Sequence, residues 1–208
     1  MTPETNVATK TRRLTITAIF FAILLLQSFI PNIGYVQILP TLPAITTIPL
    51  TVAVYGALMG AKPGAGFGLL WGLTSLFMAY TQPGDIVSLM LFQNPVICLV
   101  PRIAAGFFPG LISQAFSHRQ NHPSWVWLLS GLSASLSNTI LVIVLTSLFF
   151  ARNSATLASH LGHFSAGQPL ILILMAALGL NGVSEAIFTA ILTPIIVLPL
   201  KRLLRRIS

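Results

Sequence analysis

The sequence predicts an all-α membrane protein, a bundle of six transmembrane helices with both termini in the cytoplasm. Of its 208 residues, 55% are hydrophobic and only 7% are charged, whereas roughly a quarter of the residues of a soluble domain are charged. Long apolar runs recur from residue 14 to residue 200. These runs are continuous rather than alternating, which favours helices over a β-barrel.

Glycine, proline and polar residues divide the apolar sequence into six segments, each near the length of roughly 20 residues that a helix needs to cross a bilayer. The predicted spans of this single domain, 1–208, are 14–34, 44–60, 64–80, 88–116, 124–150 and 168–200. The fourth is the longest, and Pro95 and Pro101 predict interruptions within it. We therefore expect it to begin as a short helix that dips in from the surface.

Basic residues predict the orientation of the bundle. With six spans, both termini share one side, which collects nine of the eleven Lys and Arg residues: Lys10, Arg12, Arg13, Lys62, Arg119, Lys201, Arg202, Arg205 and Arg206. Arg152 falls on the opposite side and Arg102 within the fourth span. This asymmetry predicts cytoplasmic termini. Because the basic residues flank membrane segments, they favour contact with anionic lipid and not with nucleic acid.

A few polar residues lie inside or beside apolar spans, where such groups usually mark function. The candidate ligand-binding residues are Arg102, Asn94, Asn138, Asn181, Glu185 and Tyr80. Asn181 and Glu185 are four residues apart and share one helical face. A cluster of this kind in the outer half of the bundle suits a small polar ligand. The alternative is an Arg102–Glu185 ion pair that only ties the fourth and sixth spans together.

Other chemistry is disfavoured by the residues that the chain lacks. The sequence has no glycine-rich phosphate loop and no Walker lysine, so no nucleotide cofactor is expected in this chain. Two histidine pairs, His118 with His122 and His160 with His163, fall in predicted loops without acidic or cysteine ligands, which disfavours a metal site. No Ser-His-Asp set lies in one predicted leaflet, so we do not expect an enzyme.

Four motifs are spread over nearly the whole chain. They are Ala18-Ile19-Phe20-Phe21-Ala22; Ile48-Pro49-Leu50 followed by Gly56-Ala57-Leu58-Met59-Gly60-Ala61-Lys62-Pro63-Gly64; Phe92-Gln93-Asn94-Pro95 leading to Pro101-Arg102; and Asn181-Gly182-Val183-Ser184-Glu185-Ala186 with Thr193-Pro194 downstream. In this order and at these spans, they resemble the substrate-binding, or S, component of an energy-coupling factor (ECF) vitamin transporter.

The resemblance implies a six-helix fold with a vitamin pocket near the outer face. It implies that the protein binds its vitamin alone and transports it only with an ECF module of two ATPases and one membrane coupling protein. The small residues Ala18 and Ala22 would dock on that coupling protein, since small side chains let membrane helices approach closely. ATP would be used by the partner ATPases, and its hydrolysis would be coupled to toppling of the S component in the membrane.

Within this family the sequence is most similar to the pantothenate-specific group. Pantothenate carries a carboxylate that suits Arg102 and an amide and two hydroxyls that suit the asparagines. Hydroxymethylpyrimidine or pyridoxine, and then cobalamin, are the alternatives, because Trp71, Tyr80 and Phe92 can stack on a flat ring or simply pack helices. Outside the family, the alternatives are a stand-alone secondary carrier and a membrane enzyme acting on lipid.

Overall fold

The computed structural model describes residues 3–36, 45–82, 86–116, 124–151 and 169–206. In chain order its elements are α1 (Pro3–Phe29), α2 (Pro31–Gly34), β1 (Tyr35–Val36), β2 (Ile45–Thr46), α3 (Ile48–Met59), α4 (Ala61–Thr81), α5 (Ile86–Phe92), α6 (Pro95–Ala115), α7 (Ser124–Phe149) and α8 (Leu170–Arg206). The two strands form an antiparallel pair with Tyr35 opposite Thr46. The loop residues Arg119 and Arg152 and the four histidines lie outside the described residues.

Four of the described helices are long and apolar enough to cross a membrane. They are Lys10–Phe29, Pro95–Ala115, Ser124–Phe149 and Leu170–Leu204. Helix α3 has only 12 residues and rises about 18 Å at 1.5 Å per residue, less than the bilayer core of about 30 Å. Helix α4 has 21 residues, but its glycines and Lys62 make it less apolar than those four helices. The prediction of a helical multi-pass membrane protein is confirmed.

The structure corrects several predicted boundaries. The second predicted span begins at Ile48 rather than at residue 44, because residues 45–46 pair with β1. The fourth is divided at Gln93 and Asn94 into α5 and α6, as expected for a short entry helix. The prediction that Pro101 interrupts this span is wrong, because α6 runs unbroken from Pro95 to Ala115.

Helix α3 lies at the centre of the bundle and packs against α1, α4, α6, α7 and α8. Its residues Val52 and Ala53 have no exposed surface. Around it, α4 packs on α6, α6 on α7, and α7 on α8. Helix α7 therefore separates α6, which carries Arg102, from α8, which carries Glu185.

Glycines form the seam between α4 and α6. A Cβ atom added to Gly64 would lie 2.2 Å from the carbonyl oxygen of Gly106, and one added to Gly68 would lie 2.1 Å from that of Arg102. Glycine permits backbone contact of this kind between membrane helices. The close approach fixes the position of the Arg102 backbone against α4.

One end of the bundle, here called the basic end, gathers the start of α1, the start of α7 and the end of α8. Arg12 donates a hydrogen bond to the carbonyl oxygen of Leu204. The Lys201 ammonium lies 4.2 Å from the centroid of the Trp127 ring, a cation–π contact. The β1–β2 pair belongs to the opposite half of the bundle, since Thr46 of β2 contacts Glu185, which precedes Lys201 on α8 by about 24 Å at 1.5 Å per residue.

Candidate functional site

Arg102 is the centre of a buried cluster on α6. Only 5% of its surface is exposed, and its Nη1 donates to the carbonyl oxygen of Ile97 at 3.2 Å. That carbonyl would ordinarily accept from residue 101, but proline has no N–H. The guanidinium thus compensates for Pro101, which explains why α6 continues through the proline.

Two aromatic rings cover the Arg102 guanidinium. The Cζ atom lies 4.2 Å from the ring centroid of Phe92 and 5.4 Å from that of Trp71, both within cation–π range. Trp71 is itself only 4% exposed. We call Arg102, Trp71 and Phe92 the guanidinium cluster. The two rings pack on the cation, which supports the helix-packing interpretation of these aromatics over stacking on a ligand ring.

The turn between α5 and α6 positions Phe92 in this cluster. Asn94 caps α6, since its Oδ1 accepts from the backbone N–H of Val96 at 3.0 Å. The Tyr80 hydroxyl donates to the carbonyl oxygen of Gln93 at 2.9 Å, and Tyr80 is 66% exposed. Asn94 and Tyr80 therefore have structural roles here, and ligand contact by either stays a prediction.

The other candidate residues lie where α7 meets α8. A Cβ atom at Gly182 would lie 2.5 Å from the Thr139 side chain, so the helices are in close contact at this level. Asn138 directly precedes Thr139 in the sequence, and Asn181 directly precedes Gly182. The Oδ1 atom of each asparagine is buried and has no hydrogen-bond partner in the part of the chain that the structure describes. Buried acceptors of this kind usually have a partner, so these two suit a ligand with N–H or O–H donors.

Glu185 lies one turn further along α8. Only 5% of its surface is exposed, and its Oε1 accepts from the backbone N–H of Thr46 at 3.0 Å and from Nδ2 of Asn181 at 3.3 Å. Together with Asn138 and Asn181 it forms what we call the amide cluster. These two contacts tie Glu185 to β2 and to its own helix. An Arg102–Glu185 ion pair between the fourth and sixth spans stays an alternative prediction.

The sequence did not reveal a role for the residues before α3. The backbone N–H of Thr47 donates to the carbonyl oxygen of Gly34 at 2.9 Å, and Nε2 of Gln27 donates to the Thr47 hydroxyl at 3.0 Å. Thr51 in turn donates to Oε1 of Gln27 at 2.8 Å. A signal was present in Ile45-Thr46-Thr47-Ile48, because β-branched residues favour extended structure.

Ala18 and Ala22 lie on the exposed side of α1. Their neighbours Ile19 and Ile23 are also exposed, at 54% and 38%. Small residues among exposed apolar ones leave a shallow surface on which another helix can pack closely. For metals, the described ranges contain no group of three His, Cys, Asp or Glu residues able to hold an ion.

Comparisons with known proteins give one family. A family model described as "ECF transporter, substrate-specific component" matches residues 12–197. A protein of Leuconostoc mesenteroides named "Pantothenate transporter PanT" is 40% identical over 146 residues, which cover 68% of this chain and 71% of the relative. A protein of Lactococcus lactis named "Pantothenic acid transporter PanT" is 28% identical over 198 residues, covering 88% of this chain and 90% of the relative.

Proposed function

Because the chain belongs to the family of ECF transporter substrate-specific components, we propose that it binds pantothenate in the cell membrane for ATP-driven uptake. It is a transporter component rather than an enzyme. Two relatives are named as pantothenate transporters, which supports this choice of vitamin. The observation that carries it is the buried Arg102 guanidinium.

Arg102 binds the pantothenate carboxylate. A guanidinium matches a carboxylate through two parallel hydrogen bonds, and low solvent exposure strengthens that contact. The rings of Phe92 and Trp71 pack against the guanidinium and restrict its position. A cation on α6 suits an anionic vitamin better than neutral pyridoxine or hydroxymethylpyrimidine.

The two asparagines of the amide cluster bind the remainder of the vitamin. Asn138 and Asn181 present acceptor oxygens to the hydroxyls and the amide N–H of pantothenate. Asn94 and Tyr80 complete the proposed set of binding residues, with contacts that the structure already assigns to helix capping and to the α5–α6 turn. Glu185, which the sequence also suggested as a binding residue, accepts from Thr46 and Asn181 instead.

The proposal includes a single domain, 1–208, of six spans with both termini in the cytoplasm. Helices α3 and α4 supply two crossings in addition to the four long apolar helices, of which α6 is preceded by the short entry helix α5. Support comes from the basic end, where Arg12 near the start of α1 contacts Leu204 near the end of α8. That contact supports an even number of crossings. A reporter fused to the C-terminus should face the cytoplasm, and an external reporter would refute the six-span topology.

The proposed partners are a membrane coupling protein and two ATPases that hydrolyse ATP. The coupling protein docks on the exposed α1 surface around Ala18 and Ala22. This arrangement distinguishes the proposal from a stand-alone secondary carrier, because the purified chain in vesicles should bind vitamin and move none without the ATPases.

Titration calorimetry on the purified protein tests the choice of vitamin. Pantothenate should bind, whereas pyridoxine, hydroxymethylpyrimidine and cobalamin should show no saturable heat at the same concentrations. Tight binding of one of the other three vitamins, with no binding of pantothenate, would overturn the assignment while the family membership stands.

A further inference from the structure

The outer edge of strand β2 lies against α8. The Thr46 N–H points away from β1 and toward α8, whereas the N–H of the next residue, Thr47, donates back to Gly34. An edge strand presents backbone groups without a partner, and such a group is costly at membrane depth. Residues 45–47 therefore need an acceptor on the α8 side as well as on the α1 side.

Glu185 supplies that acceptor. Its Oε1 receives the Thr46 N–H at 3.0 Å. The Nδ2 atom of Asn181, one turn earlier on α8, donates to the same oxygen at 3.3 Å. Two donors converging on one oxygen fix the rotamer of the carboxylate and aim it at the strand edge.

We propose that Glu185 is a positioning residue, which holds the edge of β2 against α8 and thereby sets where the β1–β2 pair and the start of α3 lie beside the vitamin site. This role rests on the proposed vitamin-binding function but assigns Glu185 no contact with the ligand. It differs from the two roles that the sequence suggested, a ligand-binding residue and an ion-pair partner of Arg102. A positioning role needs an oxygen acceptor and no negative charge.

The neutral substitution Glu185→Gln separates these roles. Glutamine keeps an Oε1 acceptor, and the Asn181 donor selects the orientation in which that oxygen faces Thr46. Glu185→Ala removes the acceptor altogether. Ser184→Ala serves as the matched control, because Ser184 is adjacent on α8 and its hydroxyl bonds within the helix to Leu180 at 3.0 Å.

Amide hydrogen exchange of the full chain in lipid nanodiscs, without added vitamin, measures the proposed contact directly. Glu185→Ala should speed exchange of the Thr46 amide by about tenfold, the size expected for losing one hydrogen bond to a charged group. The Thr47 amide, bonded to Gly34, is the internal control and should change much less. Glu185→Gln and Ser184→Ala should leave both amides within about twofold of the parent protein. Exchange at Thr46 that is unchanged in Glu185→Ala would overturn the proposal.

Vitamin dissociation then links the contact to function. Pantothenate should leave Glu185→Ala about tenfold faster than the parent, while Glu185→Gln should release it at the parent rate. Equal acceleration in both variants would show that the charge matters and would overturn the positioning role. If Glu185→Ala does not purify folded, Glu185→Gln decides alone, and loss of Thr46 protection in it would refute the proposal. Failure of the parent protein to bind pantothenate would instead refute the choice of vitamin, and the exchange result would still stand.

Discussion

Replacing Arg102 with glutamine removes the positive charge of the guanidinium cluster and leaves a shorter side chain that is still polar. In the proposed complex the lost contact is a charge-assisted pair with a carboxylate, and one hydrogen bond to a charged group contributes about 1.5–3 kcal/mol. We therefore expect the Kd for pantothenate to rise at least about tenfold, since about 1.4 kcal/mol corresponds to that factor.

The same substitution also affects the helix itself. It removes the Nη1 donor to the Ile97 carbonyl oxygen and the cation–π contacts with Phe92 and Trp71. Each contributes about 1 kcal/mol or less to stability, so a small fall in Tm is expected. Glutamine can still donate from its amide to Ile97, which limits this loss.

A matched control and a ligand analogue separate binding from stability. Lys201→Gln removes a cation–π contact elsewhere, with the buried ring of Trp127 at 4.2 Å at the basic end. It should lower Tm and leave the pantothenate Kd unchanged. Pantothenol, in which an alcohol replaces the carboxylate, should bind the parent protein weakly and lose nothing further in Arg102→Gln. Titration calorimetry measures both. An equal loss of affinity for pantothenate and pantothenol would refute the carboxylate contact.

Three further changes test the amide cluster, the docking surface and the glycine seam. Alanine at Asn138 or at Asn181 should each weaken pantothenate binding by about 1 kcal/mol, as loss of one neutral hydrogen bond, and no change in calorimetry would exclude that residue from the site. Ala18→Trp should abolish uptake in vesicles with the ATPase module and preserve vitamin binding, because a bulky side chain holds helices apart; normal uptake would exclude this docking surface. Gly68→Ala should lower Tm and weaken binding, since its Cβ would lie 2.1 Å from the Arg102 carbonyl oxygen. Gly66→Ala is the control and should be neutral, because its Cβ would have no other atom within 4 Å. Equal Tm values for the two variants would contradict the glycine seam between α4 and α6.

The helices could be placed from the sequence because their signals are local. The apolar runs and the glycines and prolines between them predicted most helix ends within a few residues, and the break at Gln93 and Asn94 followed from Pro95. The polar ends of the first and last helices were missed, because α1 begins at Pro3 rather than at residue 14 and α8 ends at Arg206 rather than at residue 200. Pro101 was misjudged because its effect depends on a compensating side chain. The donor that restores the Ile97 hydrogen bond belongs to Arg102, and the rotamer of a side chain is not visible in a sequence pattern.

The contacts of the candidate site were less predictable because they join distant parts of the chain. Glu185 contacts Thr46, which is 139 residues earlier. The β-branched residues around Thr46 favour extended structure, but no local pattern indicates that this strand lies beside α8. The sequence correctly singled out Asn181 and Glu185 as neighbours on one helical face, and the structure joins them at 3.3 Å.

The separation of the two clusters bears on how a transporter component of this kind selects its ligand. The guanidinium cluster on α6 offers donors, whereas the amide cluster on α7 and α8 offers acceptors, and α7 packs against both α6 and α8. A ligand that satisfies both must carry an anionic group at one end and hydroxyl or amide donors at the other. A simple carboxylate engages only the first cluster and a neutral polyol only the second. Since buried polar groups left without a partner cost free energy, each partial ligand should bind much more weakly than pantothenate, and in the proposed complex selectivity would then follow from the need to engage both clusters rather than from either one alone.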